Sequence, residues 1–138
     1  MTDTIRHPER WPTFERHLRD GRLWLSSVVA AELLAGTRDS AEADWIERLV
    51  SGMRKIPPAG HILTPDLIDW TRAGRLIARR TRLHGSLRPR DHLADLLVLV
   101  SAARVGGQVV TANLRHFRSW AVLARASGLD VVVSGRLP

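Results

Sequence analysis

Apolar positions along this chain recur in two rhythms, helical spacings of three and four residues and short β-branched runs, and their alternation predicts an α/β protein. Trp11, Phe14 and Leu18 share one helical face, so Pro8 to Leu18 reads as a first helix stopped at Asp20-Gly21. Leu23 to Leu25 is then a short extended run. Ser26 or Ser27 can cap a helix over Val28 to Ala35, because a serine hydroxyl accepts from a backbone N–H that the helix start leaves unpaired, and Gly36 suits its end. A third helix runs from Ser40 to about Met53 with Trp45, Ile46, Leu49 and Val50 inward, and Pro57-Pro58 ends it. His61 to Leu63 reads as a brief strand.

Thr64 before Pro65 and Asp66 has the pattern of a cap and first turn, for a helix that runs to Leu83 before Gly85. Arg72, Arg75, Arg79 and Arg82 form a stripe on it while Leu76 and Ile77 face the core; the stripe is either a solvated face or an RNA contact. Asp91 to Val105 is a strongly apolar helix, Gly106-Gly107 turns the chain, and Gln108 to Thr111 has the length and branching of a buried parallel strand. A helix over Arg115 to Ser127, closed by Gly128, leads to a last strand at Val131 to Val133. The order calls for crossovers on a short, mainly parallel sheet with Val109, Val110, Val131 and Val132 in its central strands. At 138 residues, one domain over 1–138 is expected.

Composition narrows the partners. A net charge of +7 favours an anionic partner such as nucleic acid, although Lys55 is the only lysine and a GC-rich genome would enrich arginine in the same way. The absence of cysteine removes disulfides, thiolate metal sites and cysteine nucleophiles, and agrees with a cytoplasmic setting. The longest apolar run, Leu96 to Val100, is too short to cross a bilayer, and Met1 to Arg10 carries no secretion signal.

The informative residues are carboxylates on otherwise apolar helices: Glu32 in Val-Val-Ala-Ala-Glu-Leu-Leu-Ala-Gly, and Asp95 before Leu-Leu-Val-Leu-Val. Burying an ionised carboxylate is costly without a cation or hydrogen bonds. Glu32 either points to water, pairs with an arginine such as Arg38, or ligates. Asp91, four residues before Asp95 on the expected helix, either joins it in binding a metal or steadies the helix N-terminus through the macrodipole. Thr111 and Asn113 end the Gln108 strand, at the sheet edge where ligands of parallel α/β proteins collect. Hard oxygen ligands suit Mg²⁺ or Mn²⁺, which activate water and offset charge growing on a phosphate.

Three segments together, Leu23 to Gly36, Asp95 to Gly106 and Val109 to Phe117 (Val-Val-Thr-Ala-Asn-Leu-Arg-His-Phe), resemble the PIN-domain ribonucleases, and within them the VapC-type toxins of toxin-antitoxin pairs. The resemblance implies a three-layer α/β/α sandwich and an Mg²⁺- or Mn²⁺-dependent endoribonuclease, with Glu32 and Asp95 as the second and third acidic metal-site residues. It puts Asn113 and His116 at the variable fourth polar position, where they would orient water or RNA phosphate; Arg75 and Arg79 are the candidate RNA contacts if the arginine stripe faces the substrate. It further implies a VapB-type antitoxin and a homodimer. The departure is at the start: the family's first strand ends in Asp-Thr, whereas only Met1-Thr2 precedes Asp3-Thr4 here, so Asp3 is the candidate first ligand and the first strand looks missing. A catalytically impaired PIN-like module that binds RNA or a protein is the alternative; a DNA-binding protein ranks last, since no helix-turn-helix register stands out.

Overall fold

The computed structural model describes residues 11–137, so Asp3 and the expected start of the first helix at Pro8 lie outside the described residues. The chain is α/β and divides into two compact units, Met1–Thr64 and Pro65–Pro138. Among the described residues there are six α-helices and two parallel pairs of two strands each.

In the first unit, α1 (Trp11–Arg19) buries Phe14 and His17 and half-buries Leu18. Strand β1 (Leu25–Ser26) leads into α2 (Ser27–Ala35) and α3 (Ser40–Arg54), and the chain returns as β2 (Ile62–Leu63). The strands pair in parallel, Leu25 opposite Ile62 and Ser26 opposite Leu63. The ladder therefore sits one residue beyond the extended run read at Leu23–Leu25, because the partner strand rather than local pattern selects which residues pair. Leu25, Ala30 and Met53 form a buried cluster flanked by Leu18, Val29, Leu49, Val50, Ile56 and Ile62. Ser26 caps α2 as expected, its hydroxyl accepting from the Val28 N–H at 3.2 Å. Asp39 does the same for α3, accepting from the Glu42 N–H at 2.8 Å.

The second unit opens with α4 (Leu67–His84), followed by a 3₁₀ turn (Pro89–Asp91), α5 (Leu93–Arg104), β3 (Gln108–Val110), α6 (Leu114–Arg125) and β4 (Val132–Ser134). β3 and β4 run parallel with Gln108, Val109 and Val110 opposite Val132, Val133 and Ser134. Val131 is buried but precedes its strand, and with two strands in each pair none of the four valines lies in a central strand among the described residues. α5 packs on α4, α6 and β3. It buries an unbroken run from Leu96 to Ala102 save the half-buried Val98, which accounts for its apolar sequence all round.

Two boundaries differ from expectation. Asp66, not Thr64, caps α4: its carboxylate accepts from the Asp69 N–H at 2.9 Å, and Asp69 reciprocates at the Asp66 N–H at 3.1 Å. Thr64 lies three residues before the first helical position, too early for its hydroxyl to serve the first turn. Asp91 is not on α5 at all. Pro89 starts a 3₁₀ turn, and His92 at φ −125° and ψ −15° separates that turn from the helix, so Asp91 and Asp95 do not form an i, i+4 pair. Asp91 instead lies 3.8 Å from Arg90.

Candidate functional site

The second unit brings its candidate residues together where two helices begin. Asp95 lies in the first turn of α5, and His116 in the first turn of α6, which starts directly after β3. His116 Nε2 is 2.9 Å from Asp95 Oδ2, an ion-pair distance without the alignment of a hydrogen bond; the Asp95 side chain is 34% exposed. Asn113 occupies the N-cap position of α6 and is exposed, its side chain making no capping bond, while its own N–H donates to the Thr111 hydroxyl at 3.1 Å. Asp95 and His116 therefore meet where α5 and α6 begin, and Asn113 lies between β3 and α6, past the C-terminal end of the strand.

Beside the Asp95–His116 pair lies an aromatic cluster that sequence reading missed. The His92 and His116 rings stack with centroids 5.5 Å apart and planes 18° off parallel, and Trp120 meets both edge-on. The Arg80 guanidinium sits 4.5 Å from the Trp120 ring centroid and donates to the Ser119 hydroxyl at 3.1 Å. The recurrence of His116 and Trp120 at i, i+4 was visible; the contributions of His92 and Arg80 come from other elements and carried no local signal.

Asp69 was also missed. It is fully buried and accepts from the Arg104 Nε at 2.9 Å and the Ser101 hydroxyl at 3.2 Å, with Arg104 also 3.5 Å from Asp66. An aspartate three residues after an aspartate cap was the available signal. The Asp66 carboxyl is held below the usual carboxylate range, first by the Asp69 N–H and then by the nearby positive charge of Arg104. This network binds α4 to α5 and has a structural character.

The remaining candidates are dispersed. Glu32 lies in α2 of the first unit and is exposed. Arg38 does not need Glu32 as its partner, since it pairs with Glu42 at 2.9 Å. Of the arginine stripe, Arg75 is exposed, whereas Arg79 donates to the Ala126 carbonyl and the Ser127 hydroxyl, both at 2.9 Å, and so satisfies the end of α6. Among the described residues no three His, Asp or Glu side chains are placed to hold one metal ion, and no helix is long and apolar enough to cross a membrane.

The sequence matches no known family model, and no curated protein matches it.

Proposed function

We propose that this chain is a metal-dependent endoribonuclease of the PIN-domain, VapC-toxin type, built as a three-layer α/β/α sandwich and acting in the cytoplasm. The observation that carries the reading is the Asp95 carboxylate, partly exposed at the start of α5 and facing His116 at the start of α6, on the unit that holds all of the chain's excess positive charge. Asp95 fits a hard cation as one oxygen ligand; the PIN-domain resemblance, rather than the geometry, names Glu32 and Asp3 as the further carboxylates. A bound Mg²⁺ or Mn²⁺ supplies activation of water and stabilisation of charge on the phosphate. Asn113 and His116 orient water or a phosphate oxygen beside Asp95, and Arg75 offers an exposed cation to the RNA backbone. A homodimer and a VapB-type antitoxin belong to the same reading. Leu67, Ile68 and Trp70, exposed together at the start of α4, support a protein partner on the second unit.

The purified chain is expected to cut single-stranded RNA with Mg²⁺ or Mn²⁺ and to stop on chelation. Asp95→Asn and Glu32→Gln, which keep size and remove charge, should each lower the rate at least about a hundredfold, the scale on which loss of a charge-stabilising group acts, with unchanged circular dichroism. Cleavage that persists in chelator, or full activity in Asp95→Asn, rules the mechanism out. Metal-independent RNA binding without cleavage would instead favour the impaired PIN-like module.

A further inference from the structure

The first unit carries an aromatic arrangement that the proposed carboxylate chemistry does not use. Trp24 and His61 precede the two paired strands by one residue each, so they face one another across the extension of the β1–β2 ladder. Their rings stack at a centroid distance of 4.7 Å with planes 11° apart. His61 is 4% exposed, and its Nδ1 is fixed 2.9 Å from the Leu23 carbonyl oxygen. Trp24 is 47% exposed although His61 covers one of its faces. The result is a large flat ring, held from behind and open to solvent.

The turn that delivers Trp24 is tied to the same histidine. Gly21 has φ +66°, which favours glycine, and a Cβ there would stand 3.3 Å from His61 Cε1. The Asp20, Gly21 and Arg22 N–H groups donate back to the Arg16, Leu18 and His17 carbonyls, folding the turn onto the end of α1. Arg16, Arg19 and Arg22 are all exposed on this segment. Arg16, Arg19 and Arg22 precede the indole within nine residues of chain, in which Asp20 is the one acidic residue.

We propose that the Trp24–His61 stack, with Arg16, Arg19 and Arg22, is a binding site for an unpaired nucleobase and its flanking phosphates in single-stranded RNA. A base offers a flat π-face to the open side of the indole, and the guanidinium groups offset the backbone charge; this pairing of stacking platform and cations is how single strands are held without sequence readout. Prior immobilisation of the indole lowers the ordering cost of binding. A duplex keeps its bases stacked and cannot use the platform. The choice of RNA over other single strands rests on the proposed nuclease reading; the stacking geometry does not.

The test measures binding of a fluorescein-labelled twelve-nucleotide single-stranded RNA and a duplex of the same length to the full chain in EDTA, across a salt series. Trp24→Leu should weaken single-strand binding about thirtyfold, the middle of the range for loss of one stacked base. The loss should be the same at every salt concentration, Trp24→Phe should recover most of the affinity, and duplex binding should not move. Arg22→Ala should instead flatten the salt dependence by about 0.7 of a logarithmic unit per decade, the value for one phosphate contact on a single strand. Unchanged single-strand binding in Trp24→Leu, or equal loss for single strand and duplex, overturns the proposal. Because the assay contains no free metal, failure of RNA cleavage would leave a Trp24-dependent affinity standing, and failure of this site would leave cleavage by Asp95 and Glu32 standing.

Discussion

The two compact units differ most in charge. Residues 1–64 hold nine basic and nine acidic side chains, whereas residues 65–138 hold twelve arginines against five aspartates, so the whole net charge of +7 belongs to the second unit. Both contain a parallel pair of short strands and a long helix capped by an aspartate. The caps show how the difference is managed. Asp39 on α3 serves only the local backbone, and the adjacent Arg38–Glu42 pair is exposed. Asp66 on α4 joins a buried carboxylate, Asp69, and through it Arg104 on α5. In the neutral unit acids and bases pair at the surface for little gain. The basic unit ties Asp66 and Asp69 to Arg104 and also pairs Asp91 with Arg90 and Asp130 with Arg125 at the surface, and its arginines still exceed its acids by seven.

The sharpest test of this contrast is Asp69→Ala. It leaves the Arg104 guanidinium, 30% exposed, without its closest carboxylate and removes half of the α4 capping box. Removal of one partner from a buried pair costs roughly 3–5 kcal/mol, and the partial exposure of Arg104 puts the expected loss near the lower figure, about 3 kcal/mol. Glu42→Ala, at the exposed pair of the first unit, should cost no more than about 1 kcal/mol. Urea denaturation followed by circular dichroism reads both. Equal losses would mean that the two caps are energetically alike and that burial of Asp69 carries no special weight.

A smaller effect separates neighbouring arginines of one stripe. Arg79 holds the Ala126 carbonyl at the end of α6, so Arg79→Ala should cost about 1 kcal/mol of stability. Arg75 is exposed, and Arg75→Ala should leave stability within about 0.5 kcal/mol of the parent while reducing the salt dependence of RNA binding. The opposite assignment, with Arg75 stabilising and Arg79 binding, would show that the stripe is used differently from its contacts.

The division of labour along that stripe was not legible in the sequence. Spacing gave four arginines on one helical face, and only the distant Ala126 and Ser127 reveal that one of them is an internal tie. Local signals fared better: Ser26 capping α2, the inward side of α3 at Ile46, and the positions of β3 and β4 to within a residue or two follow from propensity and pattern. The misplacement of Asp91 has the same cause as the missed histidine cluster. The apolar run beginning at Leu93 extends the expected helix backward over Asp91 and His92, but the chain breaks at His92, whose ring packs against His116 and Trp120 on α6. Tertiary contacts there override the helical pattern. For the candidate site, the sequence pointed to Asp95 and His116 separately, and the fold of one unit sets them 2.9 Å apart.

The finest distinction between the units lies in how two carboxyl groups respond to acid and salt. Asp66 and Glu42 both titrate below their ordinary values, for different reasons: the Asp69 N–H is the main cause for Asp66, and the hydrogen bond from the Arg38 side chain is the main cause for Glu42. A carboxyl whose folded pKa is depressed stabilises the fold fully above its unfolded value, and that contribution disappears as the pH falls through the lower folded value. Both contributions should therefore hold at pH 5 and weaken progressively below about pH 4, near the unperturbed carboxylate range. Salt separates them. A backbone dipole one turn away is not screened by mobile ions, whereas an exposed guanidinium is. In a carboxyl-carbon NMR titration, raising sodium chloride from 50 to 500 mM should move the Glu42 midpoint up toward its ordinary value and move that of Asp66 less, the residual shift coming from Arg104. A larger salt response at Asp66 than at Glu42 would mean that the charge of Arg104, not the α4 backbone, holds this carboxylate, and that the cap of the basic unit is electrostatic after all.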